Sequence, residues 1–397
     1  MNVAIFFGVA MLVFGVFAVA AGVSRFSQFY RKELLVEQER RALPLDGLRG
    51  LAALMVVVHH AALFQNWLSK DIWGEAPDWL QAFGPAGVHL FFMLTGFLFW
   101  SKARAENGKF KIIKLWRGRL FRIAPLYLFT AALVVVVAVA INGLQVFGSK
   151  NWPALLRVLG LGALPWRAFA NGFNPAHINA RVVWTLRFEW LFYLVLPFVA
   201  WFAVGRRIFW FAAAGYVVFF GLAFLGIDLR LQLALTFLFG MLCPVLLDND
   251  KLRLQLHSRT AAGAGVVAAI LLAVSNRQPF FSLNFALALF PIFLLAAAGN
   301  SFWGILTARA TRCLGVISYS LYLLHGIVFY ILMNGLKAAH LATLSEVSYW
   351  AIVTVAAMLT ACLSSVTFQY IESPFLTKSH KSPASLAQVG PQPILAP

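Results

Sequence analysis

Residues 45–66 read LDGLRGLAALMVVVHHAALFQN. An arginine stands near the start of an otherwise apolar run, and two adjacent histidines stand near its end. At a rise of about 1.5 Å per residue the run is long enough to cross a hydrocarbon core of about 30 Å, so it predicts a transmembrane helix. Arg49 and His60 are almost three whole helical turns apart, so both project from one face, separated by about 16 Å along the axis. His59 is turned about 100° away. Asp46 lies one turn before Arg49, where it can pair with it. Ionisable groups inside a span are costly and tend to be functional. On spacing alone a bland reading stands beside the functional one: Arg49 reaches out to lipid phosphate and His60 is a hydrogen-bonded core residue.

The rest of the chain agrees with a membrane setting. Of 397 residues, 61% are hydrophobic and 12% charged, and the mean hydropathy is +0.80. Soluble chains carry about 45–50% apolar and about 25% charged residues, so a water-soluble globule is excluded. Apolar runs near 20 residues exclude an outer-membrane barrel, whose strands show alternation instead. Runs fall near 3–23, 45–66, 83–100, 123–142, 184–204, 208–226, 231–247, 260–275, 280–298, 314–334 and 348–370. The fold class is therefore all-α: a polytopic membrane helical bundle of about ten core helices plus one extra N-terminal helix. Ala18-Val19-Ala20 looks like a signal-peptidase site, but no basic residue precedes it and Arg25, Arg31 and Lys32 follow. The first run reads as an uncleaved helix with its N-terminus outside.

Alternating sides from there places most of the 32 Lys and Arg in the inner segments, which is the positive-inside bias of a multi-pass protein. The net charge of +18 is thereby explained by membrane loops, and no nucleic-acid partner is expected. The three cysteines, Cys243, Cys313 and Cys362, have no metal or disulfide spacing, so no metal is expected. The chain divides into 1–43, an extra helix and basic linker; 44–376, the membrane domain; and 377–397, a disordered cytoplasmic tail rich in Pro, Ser, Gln and Ala. The longest outer connection, 143–183, contains an apolar stretch, Leu155 to Leu164, too short to span, hence interfacial or re-entrant. No internal repeat is visible.

Among the acidic residues Glu189 alone lies well inside a run, and the intramembrane histidines are His59, His60, His89 and His325. Counting from helix ends puts His60, His89 and Glu189 at one depth in the outer half, where a carboxylate and an imidazole form a base and its orienter. The run Lys114-Leu115-Trp116-Arg117-Gly118-Arg119-Leu120-Phe121-Arg122 sets Arg119 and Arg122 one turn apart, a fork suited to phosphate. Taken alone, the cluster is better explained by positive-inside charge with affinity for anionic lipid.

Together these segments resemble a known family, the membrane-bound acyltransferase family 3, over about 44–376. Asp46-Gly47-Leu48-Arg49-Gly50-Leu51-Ala52-Ala53 followed by His60 is similar to its opening motif. Gly87-Val88-His89-Leu90-Phe91-Phe92-Met93-Leu94-Thr95-Gly96-Phe97 resembles the second, and Arg119-Leu120-Phe121-Arg122-Ile123-Ala124-Pro125-Leu126-Tyr127 the third. Trp184-Thr185-Leu186-Arg187-Phe188-Glu189 looks like a further segment. Ile317-Ser318-Tyr319-Ser320-Leu321-Tyr322-Leu323-Leu324-His325 and Tyr370-Ile371-Glu372-Ser373-Pro374-Phe375 resemble the closing signatures. Three positions depart from the pattern: His89 stands where an acid is usual, Thr95 where Ser is common, and Gly326 near a frequent Pro.

The resemblance implies an integral-membrane O-acyltransferase of the bacterial plasma membrane. An acyl group, acetyl by analogy, would pass from acyl-CoA on the cytoplasmic side to a hydroxyl of a glycan or related acceptor outside. It assigns catalysis to His60, Glu189 and Arg49, with His60 as general base or transient acyl carrier and Glu189 as its orienter. Arg119 and Arg122, with Arg117, would hold CoA phosphates. Asp46, His89, Tyr127, His325 and Glu372 would bind substrate or serve structure. No hydrolase-like domain is expected after the membrane domain. A transporter or flippase is the alternative, since it too would place charges at mid-membrane.

Overall fold

The computed structural model describes residues 3–40, 43–70, 73–74, 76–109, 111–204, 230–275, 281–339 and 344–380, with a few positions between 207 and 217. Among them the chain is helical, without a strand. The helices are α1 (Val3–Phe26), α2 (Gln28–Arg40), α3 (Leu43–Lys70), α4 (Asp78–Gln81), α5 (Phe83–Ala105), α6 (Ile112–Asn142), α7 (Trp152–Leu159) and α8 (Leu186–Val199). There follow α9 (Arg230–Leu246), α10 (Asp250–Leu256), α11 (Arg259–Ser275), α12 (Leu283–Ala298), α13 (Arg309–Val316), α14 (Ser318–Ala338), α15 (Glu346–Thr367) and, after a π-turn at Phe368–Glu372, α16 (Ser373–His380).

Seven of these segments are long and apolar enough to cross a membrane, and α9, α11 and α12 carry shorter apolar stretches. The chain is a multi-pass helical bundle. Most of the expected helix at 208–226 lies outside the described residues, as does the tail beyond His380. Helix α16 runs on to His380, past residue 377, where the tail was expected to begin.

Helix α3 is the axis of the fold. Its apolar window is 83% buried, against 28% for α1, and it packs on α5, α13 and α14. Lipid tails are as apolar as leucine, so helices associate in a bilayer through close packing and shared polar groups. The α5–α9 crossing shows the first device. A Cβ on Gly96 would run into the Phe237 carbonyl, and one on Gly240 into the Met93 carbonyl. Helix α1 docks on α15 by placing Gly8 against the Trp350 side chain.

The loop contacts sort the ends of the bundle. At one end Arg104 forms a fork on Asp248 at 2.5 and 3.1 Å. Arg312 donates to Leu34 O at 2.6 Å, and the Asn300 amide donates to Leu256 O and Ser258 O. All of these belong to segments that the sequence marks as basic. At the other end Trp73 stacks on His177 at 5.6 Å, and the Lys337 ammonium sits 4.1 Å over Trp67.

The outer connection is built, not slack. In α7 Ala154, Leu155 and Val158 are buried while Trp152, Leu156 and Leu159 are exposed. Asn174 then caps a 3-10 turn at Pro175–His177 by accepting from Ala176 N. Ala180 and Arg181 take left-handed φ values of 55° and 58°, a conformation that costs non-glycine residues energy. That strained pair turns the chain inward, and the backbone of Asn179 and Ala180 presses on Gly326, leaving no room there for a Cβ. A second 3-10 turn, Val182–Thr185, leads directly into α8.

Two outcomes follow from this packing. Gly240→Val should lower the melting temperature of the purified protein markedly, whereas Gly263→Val, which meets nothing within 4 Å, should be tolerated. At the outer end burial, aided by the Arg181 charge, pushes His177 down to about 4, and its Nε2 accepts from Arg181. Unfolded histidine protonates near 6.5, so this contact stabilises fully above that value and is lost as pH falls through about 4. Tryptophan fluorescence from Trp73 should change over that window, and His177→Gln should remove the change.

Candidate active site

Five helices converge on a cavity of about 830 Å³. It is lined by Asp46 and Arg49 from α3, Val88, Phe91 and Thr95 from α5, and Arg119 and Arg122 from α6. Thr185, Glu189 and Tyr193 face it from the α8 segment, and Tyr319 and Tyr322 from α14. Glu33 of α2 also reaches its wall, so the N-terminal segment contributes to the site.

Two of the arginines in the cavity are held by partners on other elements. Arg122 pairs with Glu372 at 3.1 Å, and Glu372, almost fully buried, accepts from Ser320, which accepts in turn from Thr367. Removing one member of a pair buried like this costs about 3–5 kcal/mol, because the survivor is left uncompensated. The Arg119 guanidinium lies 4.7 Å over Phe99 and 5.8 Å over Tyr193. Arg49 keeps its helical partner Asp46 at 3.4 Å. Tyr193, one turn after Glu189, donates to its carboxylate at 2.9 Å, and Arg119, Arg122 and Arg49 surround that carboxylate with positive charge. Three guanidinium groups at one end of a cavity suit a polyanion.

His60 lies outside this lining. Its Nδ1 is 3.0 Å from Val56 O and 3.0 Å from Nε2 of His325. Nδ1 of His325 lies 2.9 Å from Leu321 O. A carbonyl only accepts, so His325 carries its proton on Nδ1 and presents Nε2 as an acceptor. His60 therefore donates from Nδ1 to His325, and its own Nε2 is left as the unprotonated nitrogen. His60 is partly exposed. His59, by contrast, is buried, sends Nδ1 to Leu80 O at 3.0 Å and packs on Gly84.

The expected pairing of His60 with Glu189 is not what the structure forms. Glu189 bonds to Tyr193, and His60 bonds to His325. Equal depth was counted from the start of α8, but the strained connection carries the chain inward before that helix begins. Thr185, one turn before Glu189, is already level with Tyr322, one turn inward of His325. His89 is fully buried, with its Nδ1 3.0 Å from Thr236 Oγ1, and it packs on Phe285. It faces α9 because it lies about 100° around α5 from the cavity-lining Val88. Arg117 is exposed and stacks along Phe121 at 5.5 Å; two positions from Arg119, it points to the opposite side of α6. Tyr127 donates to Val158 O at 2.8 Å and accepts from Trp166, tying α6 to the outer connection. Glu372 acts through Arg122. The residues missed were Tyr193, Tyr319 and Tyr322, although the i, i+3, i+6 series Tyr319, Tyr322, His325 was a readable signal.

The model of an acyltransferase domain matches residues 44–366. The chain belongs to this acyltransferase family. It is 25% identical over 384 residues to the O-acetyltransferase OatA of Staphylococcus aureus, covering 87% of this chain and 59% of that one. It is 31% identical over 177 residues to the acyltransferase MdmB of Streptomyces mycarofaciens, covering 43% of each. The chain thus spans about half the length of these curated relatives. No solved structure matches it.

Within this family member the hydrogen bonds make a definite kinetic forecast. His60→Ala and His325→Ala should each lower transfer, and the double variant should cost little more than His60→Ala alone, as for groups acting as a unit. Glu189→Gln combined with His60→Ala should instead give multiplied losses.

Proposed function

We propose that the chain transfers a short acyl group from acyl-CoA, bound from the basic, cytoplasmic end of the bundle, to a hydroxyl of a glycan or related acceptor at the outer end. The observation that carries this reading is the order of hydrogen bonds Leu321 O, His325, His60, which leaves His60 Nε2 as a positioned base above a cationic cavity. OatA is named an O-acetyltransferase, and that name supports acetyl as the group and oxygen as the acceptor. The basic loops gathered at one end support placement in a bacterial plasma membrane with that end inside.

Each part then has a role. Arg119 and Arg122, with Arg49 nearby, bind the donor's phosphates through charge-assisted hydrogen bonds. The aromatic rings beside these arginines keep the guanidinium planes fixed. As the acceptor oxygen attacks the thioester carbonyl, His60 Nε2 takes the hydroxyl proton. His325 holds the resulting imidazolium through the Nδ1 bond that already exists. The carbon–sulfur bond breaks, and the proton on Nε2 passes to the departing thiolate, so that ester and free CoA leave. A neutral imidazole is suited to this proton transfer near pH 7. Glu189, bonded to Tyr193 among three arginines, organises the donor end and not the base.

Labelled acetyl-CoA supplied to inside-out vesicles should place label on an envelope glycan. His60→Ala should reduce this by ~10²–10⁴-fold, the range for a positioned general base, at unchanged protein level. Solute uptake without label would instead mean transport. Arg119→Ala and Arg122→Ala should raise KM for the donor more than they lower kcat, because contacts remote from the reacting carbonyl are mostly uniform binding. Arg119→Lys should recover in part.

A further inference from the structure

We infer that Tyr322 and Phe91 narrow the cavity where it meets the histidine pair and set the length of acyl group the protein accepts; this rests on the donor reading above. Both residues line the cavity, while His60 and His325 do not. The two rings meet edge to face with centroids 5.9 Å apart. On the other side of Tyr322 is His325, at 6.3 Å. Tyr322 is therefore the ring at which the cavity meets the histidine pair.

That ring is fixed in place. The Tyr322 hydroxyl donates to Val182 O at 2.9 Å and lies 2.9 Å from the Thr185 hydroxyl. Tyr322 is 8% exposed, so the ring has no open side into which it can turn. Val182 and Thr185 belong to the 3-10 turn that the strained connection carries inward. The outer connection thus braces one side of this constriction.

A thioester threaded from the arginine end leads with its acyl group, which has to lie against this pair of rings when the carbonyl is beside His60. Carbons beyond the first or second have to displace a ring held by two hydrogen-bonding partners. A hydrophobic wall of this kind discriminates by about tenfold or more for each methylene it cannot fit. Tyr322 is on this account a specificity-determining residue, and the substrate class is a short-chain acyl-CoA.

The test is equilibrium binding to the purified full chain, with tritiated acetyl-CoA displaced by unacylated CoA and by propionyl-, butyryl- and hexanoyl-CoA. For the wild type, acetyl-CoA should bind well and affinity should fall by about tenfold or more on reaching butyryl. Tyr322→Ala should remove most of that fall, raising the butyryl-to-acetyl affinity ratio about tenfold, while Tyr322→Phe should restore the wild-type profile because the ring volume is kept. A merely structural role would weaken all donors together and leave the ratio unchanged, and that result in Tyr322→Ala overturns the inference. If Tyr322→Ala does not accumulate, Phe91→Ala carries the same expectation and the same refutation. Failure of unacylated CoA and every acyl-CoA to bind the wild type would bring down the donor reading, and this inference with it.

Discussion

A charged side chain inside a bilayer has to find its partner within the protein, because lipid offers none. In this bundle that requirement decides where the helices meet. Arg122 of α6 reaches Glu372 beyond α15, and Glu372 is completed by Ser320 of α14. Three distant parts of the chain are tied by one carboxylate. The same link leaves the Arg122 side chain facing the cavity, where Arg49 and Arg119 join it. Cationic binding capacity and helix assembly therefore share the same groups, which explains how three arginines persist in an apolar setting.

The outer half solves a different problem with neutral groups. Histidines paired through one shared proton carry no charge, so they are cheap to bury and remain able to accept a proton when chemistry demands it. The backbone carbonyl of Leu321 fixes the direction of that hydrogen bond. Where the charged half meets the neutral half stands the Phe91–Tyr322 layer. The division gives each half a dielectric setting matched to its chemistry, with phosphate recognition on one side and proton transfer on the other.

Much of this was legible in the sequence, and the failures have physical causes. Apolar run length located the seven long spans, because it reports solvation, which is local. The Arg49–His60 spacing placed one residue at each end of the site along α3, because helical geometry is rigid. Asp46 and Arg49 paired as expected for neighbours one turn apart. Partnerships across helices were not legible. His60 meets His325 because α14 lies beside α3, a fact of packing and not of spacing. Glu189 was set at the wrong depth because no sequence rule announces that Ala180 and Arg181 adopt left-handed backbone and carry the chain inward before α8 starts. Arg117 was grouped with its neighbours by composition, although two positions along a helix is nearly the opposite face.

The account's central claim is that one path leads from the arginines past the aromatic layer to the histidine pair. The most direct measurement is photo-crosslinking of the purified protein with an acyl-CoA whose short acyl chain carries a diazirine, followed by peptide mapping. The account predicts label on Phe91, Tyr322 or their immediate neighbours, competed away by acetyl-CoA and lost in the Arg119→Ala, Arg122→Ala double variant. Competed label on the lipid-facing surface, or on the outer connection alone, would contradict it.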